Sequence, residues 1–520
     1  MRPNEVEKAK KSVMKVMGVH VGMNWTQPYI DVEEYQAGGT AFFIDPKDCG
    51  NLVRGVGSNR DKRYLFTNFH VVDCVASKTV ELCYPSKGFN RLTATIMHVV
   101  PSLDVAILCI DPMAEHPAWR DGGNIHDFLQ EIPNLKLDFK PVKGNSQDVI
   151  AIGFPSLSKD VQLCGGHVSG RGLGMIQLNI SLNGGNSGGP LMHKNKVIGI
   201  CTASEAETEA IGLAVPICQI LNFFNNWCTF DEKLLRMPSW GLNANILSED
   251  YMKYHGITHV QGVLVEKVVS GQACHKAGLE KQDIILGINN KNGRYNIDCD
   301  GLVSVEWTNK RVPITNDEFI MSLDPNTIQF SVFKHKQKKR VMVSIKPQIV
   351  PFQTREKWHQ WEDIDYTTFG GAVFMDLTMN HMEPEDEDEE PPIPFDKCVY
   401  ITNQIRETMN MESIVICTHI PGQTYLETQR LLHPYDVIKK VNKTKVKNIG
   451  HFTQLVKKLA ENIDNQQYIL LETHRGDVYI DLTKIMLQET MLAARFPKQV
   501  FINNLGKKRK RKRRVLHNVV

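Results

Sequence analysis

Residues 184–190 read Gly-Gly-Asn-Ser-Gly-Gly-Pro. Glycines on both sides of Ser187 confine this stretch to a tight turn, because larger side chains would obstruct it. A serine on such a turn is a poor nucleophile until a base lies within hydrogen-bond reach and a third group orients that base. Two upstream fragments supply those types: Leu65-Phe66-Thr67-Asn68-Phe69-His70-Val71-Val72 and Leu103-Asp104-Val105-Ala106-Ile107-Leu108. Histidine, then aspartate, then serine is one of the chain orders in which an acyl-transfer triad occurs. Singly, a glycine-rich turn, one of 18 histidines and an aspartate at a strand start say little. Together they assign Ser187 as nucleophile, His70 as general base and then acid, and Asp104 as the carboxylate that fixes the imidazole tautomer. The backbone N–H groups of Gly185 and Ser187 then converge on the developing oxyanion. The intervals between the three leave room for several strands, which suits a site assembled at the junction of two barrels.

Further segments carry a family likeness. Gly38-Gly39-Thr40-Ala41-Phe42-Phe43-Ile44, Ala151-Ile152-Gly153-Phe154-Pro155, Ile198-Gly199-Ile200-Cys201-Thr202-Ala203 and Ile211-Gly212-Leu213-Ala214-Val215-Pro216, with the histidine and serine segments, resemble the HtrA/Deg family of serine proteases. The resemblance implies a mainly β fold with some α. It places a chymotrypsin-like double β-barrel protease domain ahead of two PDZ-like domains. It makes Ser181 the base of the specificity pocket and Leu213, Ala214 and Val215 its wall. No carboxylate is there to pair with a basic P1 side chain, so cleavage after small or medium aliphatic residues is expected. Cys201, Thr202 and Ala203 should offer backbone groups to an extended substrate. The resemblance also implies assembly as trimers or hexamers, gating by loops 159–174 and 182–185, and no cofactor or metal.

A chain of 520 residues is too long for one core. The expected division is a helical segment at 1–30, the protease domain at 31–230, PDZ-like domains at 240–350 and 365–500, and a tail at 501–520. Ser270 to Leu279, followed by Gln282-Asp283-Ile284-Ile285-Leu286-Gly287-Ile288-Asn289, resembles a PDZ domain. On that resemblance Gly262, Val263, Leu264 and Val265 form the carboxylate-binding loop and the strand that pairs with a peptide. Segment 291–310 reads as an insertion over this groove. Pro434-Tyr435-Asp436-Val437-Ile438-Lys439-Lys440-Val441-Asn442 repeats the pattern and resembles the second PDZ domain of plant-type Deg proteases, which is thought to serve assembly. Between the two, residues 383–390 hold seven acidic side chains before Pro391-Pro392 and read as a solvated loop.

Composition, at 42% hydrophobic and 23% charged, is that of a soluble globular protein. No apolar run reaches the ~18 residues of a membrane span, and the N-terminus lacks the form of a secretory signal. The 12 cysteines form no dense framework and read as free thiols in a reducing compartment. No His/Cys spacing points to zinc. Lys507, Lys508, Arg509, Lys510, Arg511, Lys512, Arg513 and Arg514 form an unbroken basic run, yet the whole chain carries only +3. The basicity therefore belongs to the tail. Such a run reads as a nuclear import signal or a polyanion-binding arm. The expected location is the nucleus, the nucleolus included, with the cytoplasm as alternative; the expected partners are an import receptor or a polyanion. The leading function is an ATP-independent endopeptidase for unfolded or C-terminally exposed proteins. The alternatives are a peptide-binding holdase or scaffold, and a polyanion-tethered protein.

Overall fold

The computed structural model describes residues 3–495 apart from 51–60, 85–87, 89, 121–122, 143–146, 173, 203–210, 259, 306–309, 348–351, 383–392, 409 and 462–466. The acidic run and the basic tail lie outside the described residues. The chain divides into two compact units. One holds Met1–His20 and Tyr35–Val350, the other Val21–Glu34 and Pro351–Val520.

In the first unit, strands β1 (Val13–Val21), β2 (Glu34–Ile44), β3 (Arg63–Thr67), β4 (Thr79–Cys83), β5 (Arg91–Val100) and β6 (Val105–Ile110) close a barrel in the order β1-β2-β3-β6-β5-β4. The first 30 residues are therefore not one helical segment. The helix Pro3–Lys10 stops and β1 follows, because Val13, Met14 and Val16 are fully buried and the strand's edge is needed by β4. The second barrel comprises β8 (Asp148–Gly153), β9 (Gln162–Gly172), β10 (Met175–Leu178), β11 (Pro190–His193), β12 (Lys196–Thr202) and β13 (Gly212–Pro216), closed by pairing of β11 with both β8 and β12. A short β7 (Lys136–Leu137) pairs β12 from outside this ring. One apolar cluster runs between the barrels: Phe42, Phe66, Val105 and Ile107 meet Ile152, Phe154, Ile200 and Val215. Burying this face is what brings residues 70, 104 and 187 near one another.

The same unit contains a sheet of β14 (Leu242–Ile246), β15 (Val263–Val268), β16 (Ile284–Asn290), β20 (Gln329–Lys334) and β21 (Lys339–Ser344) in that order, with β17 (Gly293–Asn296) pairing β16. Helix Asp317–Ser322 packs on this sheet through Phe319 and Ile320. Segment 291–310 supplies β17 and part of a hairpin, β18 (Leu302–Val305) with β19 (Lys310–Pro313). Val303 and Val305 join the core that holds Leu242 and Phe319.

The second unit is a sheet of β22 (Tyr366–Phe369), β23 (Ala372–Asp376), β24 (Val415–His419), β25 (Val437–Val441), β27 (Tyr468–Thr473) and β28 (Asp477–Asp481), with β26 (Thr444–Lys445) on β25. Helices Ile449–Glu461 and Leu482–Arg495 cover it with Phe452, Val456 and Ile485. Val21–Glu34 is part of this unit. His381 Nε2 donates to the Trp25 carbonyl at 3.1 Å while its Nδ1 accepts from Thr378 N–H. Burial holds this imidazole neutral, its pKa lowered to about 4. Thr418 donates to the Thr26 carbonyl at 2.8 Å.

Candidate active site

The loop that follows β3 carries His70, and Asp104 caps the turn between β5 and β6 in a left-handed conformation (φ 47°), which aspartate tolerates better than most residues. The two meet across the barrel end. His70 Nδ1 lies 2.9 Å from Asp104 Oδ2 and 3.0 Å from Oδ1, and the His70 backbone N–H donates to Oδ1 at 3.0 Å. Thr202 at the end of β12 adds a hydroxyl bond to Oδ2 at 2.9 Å, and the Asn68 amide holds the Asp104 carbonyl at 2.8 Å. A carboxylate so held fixes the imidazole with Nδ1 protonated and leaves Nε2 as the base. Partial burial pulls the His70 pKa down. The hydrogen bond and charge of Asp104, with the nearby charge of Asp73, outweigh that and raise it above 6.5.

Ser187 is buried (6% exposed) on the turn entering β11. Gly185 has φ +94°, and a Cβ there would lie 2.3 Å from the Phe154 carbonyl oxygen. Gly188 has φ +87°, and its Cβ would lie 2.0 Å from the Thr40 carbonyl oxygen. Only glycine meets both demands. The backbone bonds of the turn are made by Asn186 N–H to Asn183, Gly188 N–H to Cys201 and Gly189 N–H to Asn186. Among the described residues, none of these bonds uses the N–H of Gly185 or Ser187, so both remain for an oxyanion.

Thr40 organises this turn, a role the sequence reading misses. Its N–H donates to the Ser187 carbonyl at 2.8 Å and its hydroxyl to the Gly185 carbonyl at 2.7 Å. The same hydroxyl accepts from Phe154 N–H at 3.1 Å, and its own carbonyl accepts from Thr67 at 2.8 Å. The only trace in the sequence is a threonine after Gly38-Gly39.

Residues 39–200 match the model of the trypsin-like peptidase domain, and 357–500 match that of a PDZ domain. Protease Do-like 4, mitochondrial, of Arabidopsis thaliana is 24% identical over 501 residues, 90% of this chain and 82% of that protein. The chain belongs to the HtrA/Deg family of serine proteases. Putative protease Do-like 3, mitochondrial, of the same plant is 25% identical over 87% of this chain and 73% of its own. Among solved structures, the HtrA-type protease AlgW with decapeptide aligns at TM-score 0.45 and 18% identity, covering 67% of this chain and 99% of that one.

For an HtrA/Deg protease the substrate-facing residues need correction. Cys201 has no free backbone group: its N–H donates to Gly189 at 2.8 Å and its carbonyl accepts from Gly188 at 2.9 Å. It braces the nucleophile turn and cannot pair with a substrate strand. Thr202 spends its hydroxyl on Asp104. Ala203 lies outside the described residues. Ser181 is exposed, Leu213 half-buried, and Ala214 and Val215 buried in β13 beside β12. Gly262 to Val265 do not form a peptide-accepting edge. Val263 pairs with Ile246 of β14 and with Ile285 of β16, and Leu264 pairs with Asn245 and Ile284. Both edges of β15 are occupied. β14 and β21 end this sheet, and among the described residues β14 pairs only with β15. The apolar run after Gly262 marks a central strand with both edges taken, which only the pairing reveals.

Proposed function

We propose that this HtrA/Deg protease is an ATP-independent endopeptidase that cleaves unfolded or C-terminally recognised proteins, in protein quality control. The observation that carries the reading is the His70–Asp104 couple beside a serine turn with two uncommitted N–H groups. Nε2 of His70 removes the Ser187 hydroxyl proton as Oγ attacks the scissile carbonyl carbon. Gly185 and Ser187 N–H take the negative charge on the carbonyl oxygen. His70 then delivers its proton to the leaving amine, and a water activated the same way releases the acid product. Apolar Leu213 and Val215, with no carboxylate at Ser181, support a preference for small or medium aliphatic P1 residues. The bare edge of β14 supports strand addition by a peptide. Family likeness supports a trimer or hexamer. The 507–514 run supports nuclear import or polyanion binding.

Casein hydrolysis by the purified chain beside Ser187→Ala tests the reading, with intact mass after a fluorophosphonate probe. Labelling at Ser187, with cleavage lost in the variant, is the expected result. Equal cleavage by both would overturn it and favour the holdase.

A further inference from the structure

The two PDZ-like sheets share one construction. In the first unit the order is β14, a helix (Glu249–His255), β15, a short helix (Ala273–Lys276), β16 with β17 folded back on it, the inserted hairpin β18–β19, a helix (Asp317–Ser322), then β20 and β21. In the second it is β23, a helix (Phe395–Glu407), β24, a short helix (Tyr425–Thr428), β25 with β26 folded back, a helix (Ile449–Glu461), then β27 and β28. Element by element, the counterpart of β14 is β23. The two strands differ at their outer edges. β14 ends its sheet, whereas β23 is covered along its outer edge by β22.

The pairing of β22 is complete and antiparallel: Tyr366 with Met375, Thr367 with Phe374, Thr368 with Val373, Phe369 with Ala372. Thr367, Thr368 and Phe369 are buried at 1%, 0% and 0% exposure. The Thr367 hydroxyl is hydrogen-bonded to that of Thr453 on helix Ile449–Glu461. A strand between a sheet edge and this helix is where strand addition would place a peptide. The end of the groove is filled too. After Phe369 the chain turns through Gly370-Gly371 into β23, and Gly370 N–H donates at 2.8 Å to a carboxylate oxygen of Glu489, itself 1% exposed. Backbone N–H groups before such a strand are the usual receptor of a peptide's terminal carboxylate.

We infer that the second PDZ-like domain is self-liganded, with β22 in the place of a bound peptide strand and Glu489 in the place of its carboxylate. Incoming C-termini therefore find no edge on β23, and peptide capture by strand addition falls to β14. The inference concerns binding and not cleavage, so it stands or falls apart from the protease reading.

Hydrogen exchange by mass spectrometry on the full chain tests it, without and with a saturating decapeptide that ends in an apolar residue with a free carboxylate. Without peptide, amides 367–369 should be protected to within about ten-fold of those in β24, as for a permanent strand. With peptide, exchange over 366–376 should not change, whether or not β14 slows. Fast exchange at 367–369 in the free chain, or slowing over 366–376 on adding peptide, would overturn the inference.

Discussion

Replacing Thr40 by valine removes one hydroxyl and keeps the shape. Thr40 is fully buried, and its hydroxyl serves two backbone groups, the Gly185 carbonyl at 2.7 Å and the Phe154 N–H at 3.1 Å. A buried group robbed of its partner costs about 1–3 kcal/mol. Two such groups give about 2–6 kcal/mol, and the added methyl returns roughly 1 kcal/mol of burial. A net loss of about 1–5 kcal/mol in stability is expected, read from the urea midpoint at unchanged slope. Catalysis should suffer as well, because freeing the Gly185 carbonyl loosens the residue whose own N–H, on the preceding peptide, is offered to the oxyanion. Loss of one such donor costs about 10²–10³ in kcat. The assay is steady-state cleavage of an unfolded substrate, together with the rate of fluorophosphonate labelling. The split matters: kcat should fall while KM stays nearly constant, since the donor acts on the transition state. Thr40→Ser, which restores the hydroxyl, should recover most of kcat. A valine variant with full kcat and a stability change under about 0.5 kcal/mol would refute the argument that Thr40 holds the turn.

Two further predictions follow from side chains already described. The raised pKa of His70 means that the imidazole is protonated, and so unable to accept the serine proton, until pH rises above 6.5. The acid limb of kcat/KM should therefore have its midpoint above that value. Asp104→Asn, which removes the charge, should shift that limb downward and cut kcat by about 10⁴. Arg171 on β9 and Glu318 on helix Asp317–Ser322 form an ion pair at 2.7 Å with side chains only 9% and 14% exposed. Glu318→Ala, which removes this buried carboxylate, should cost about 3 kcal/mol by urea unfolding, and Arg171→Met with Glu318→Leu should recover most of it.

Much of the catalytic centre was legible because its residues sit in short motifs with local reasons. The glycines at 185 and 188 answer to backbone angles and contacts within a turn, and His70 and Asp104 adjoin apolar strands that predict where they end. Ser187, His70 and Asp104 could thus be picked out as candidates from sequence, and the structure pairs His70 with Asp104 and sets Ser187 on its glycine turn. Thr40 could not, because its partner Gly185 lies 145 positions away, and nothing near Thr40 records it. Cys201 was misread for a related reason. Its neighbours in sequence mark a strand, but whether its N–H and carbonyl are free depends on Gly188 and Gly189, which approach from the nucleophile turn.

The PDZ-like sheets make the same division clear. Residues 283–289 and 436–442 announce, by pattern alone, a strand after an aspartate-bearing turn, and both strands form, as β16 and β25, the second stopping at Val441 just before Asn442. Sequence by itself determined which residues turn, which alternate into a core and which carry the chemistry, because those properties are paid for locally, in backbone angles and apolar periodicity. Tertiary structure alone decided which strand is an edge, which amide is left uncommitted and which groove is already full. Those depend on what another part of the chain brings alongside, and a hydrogen-bonding group looks the same in sequence whether or not its partner has arrived.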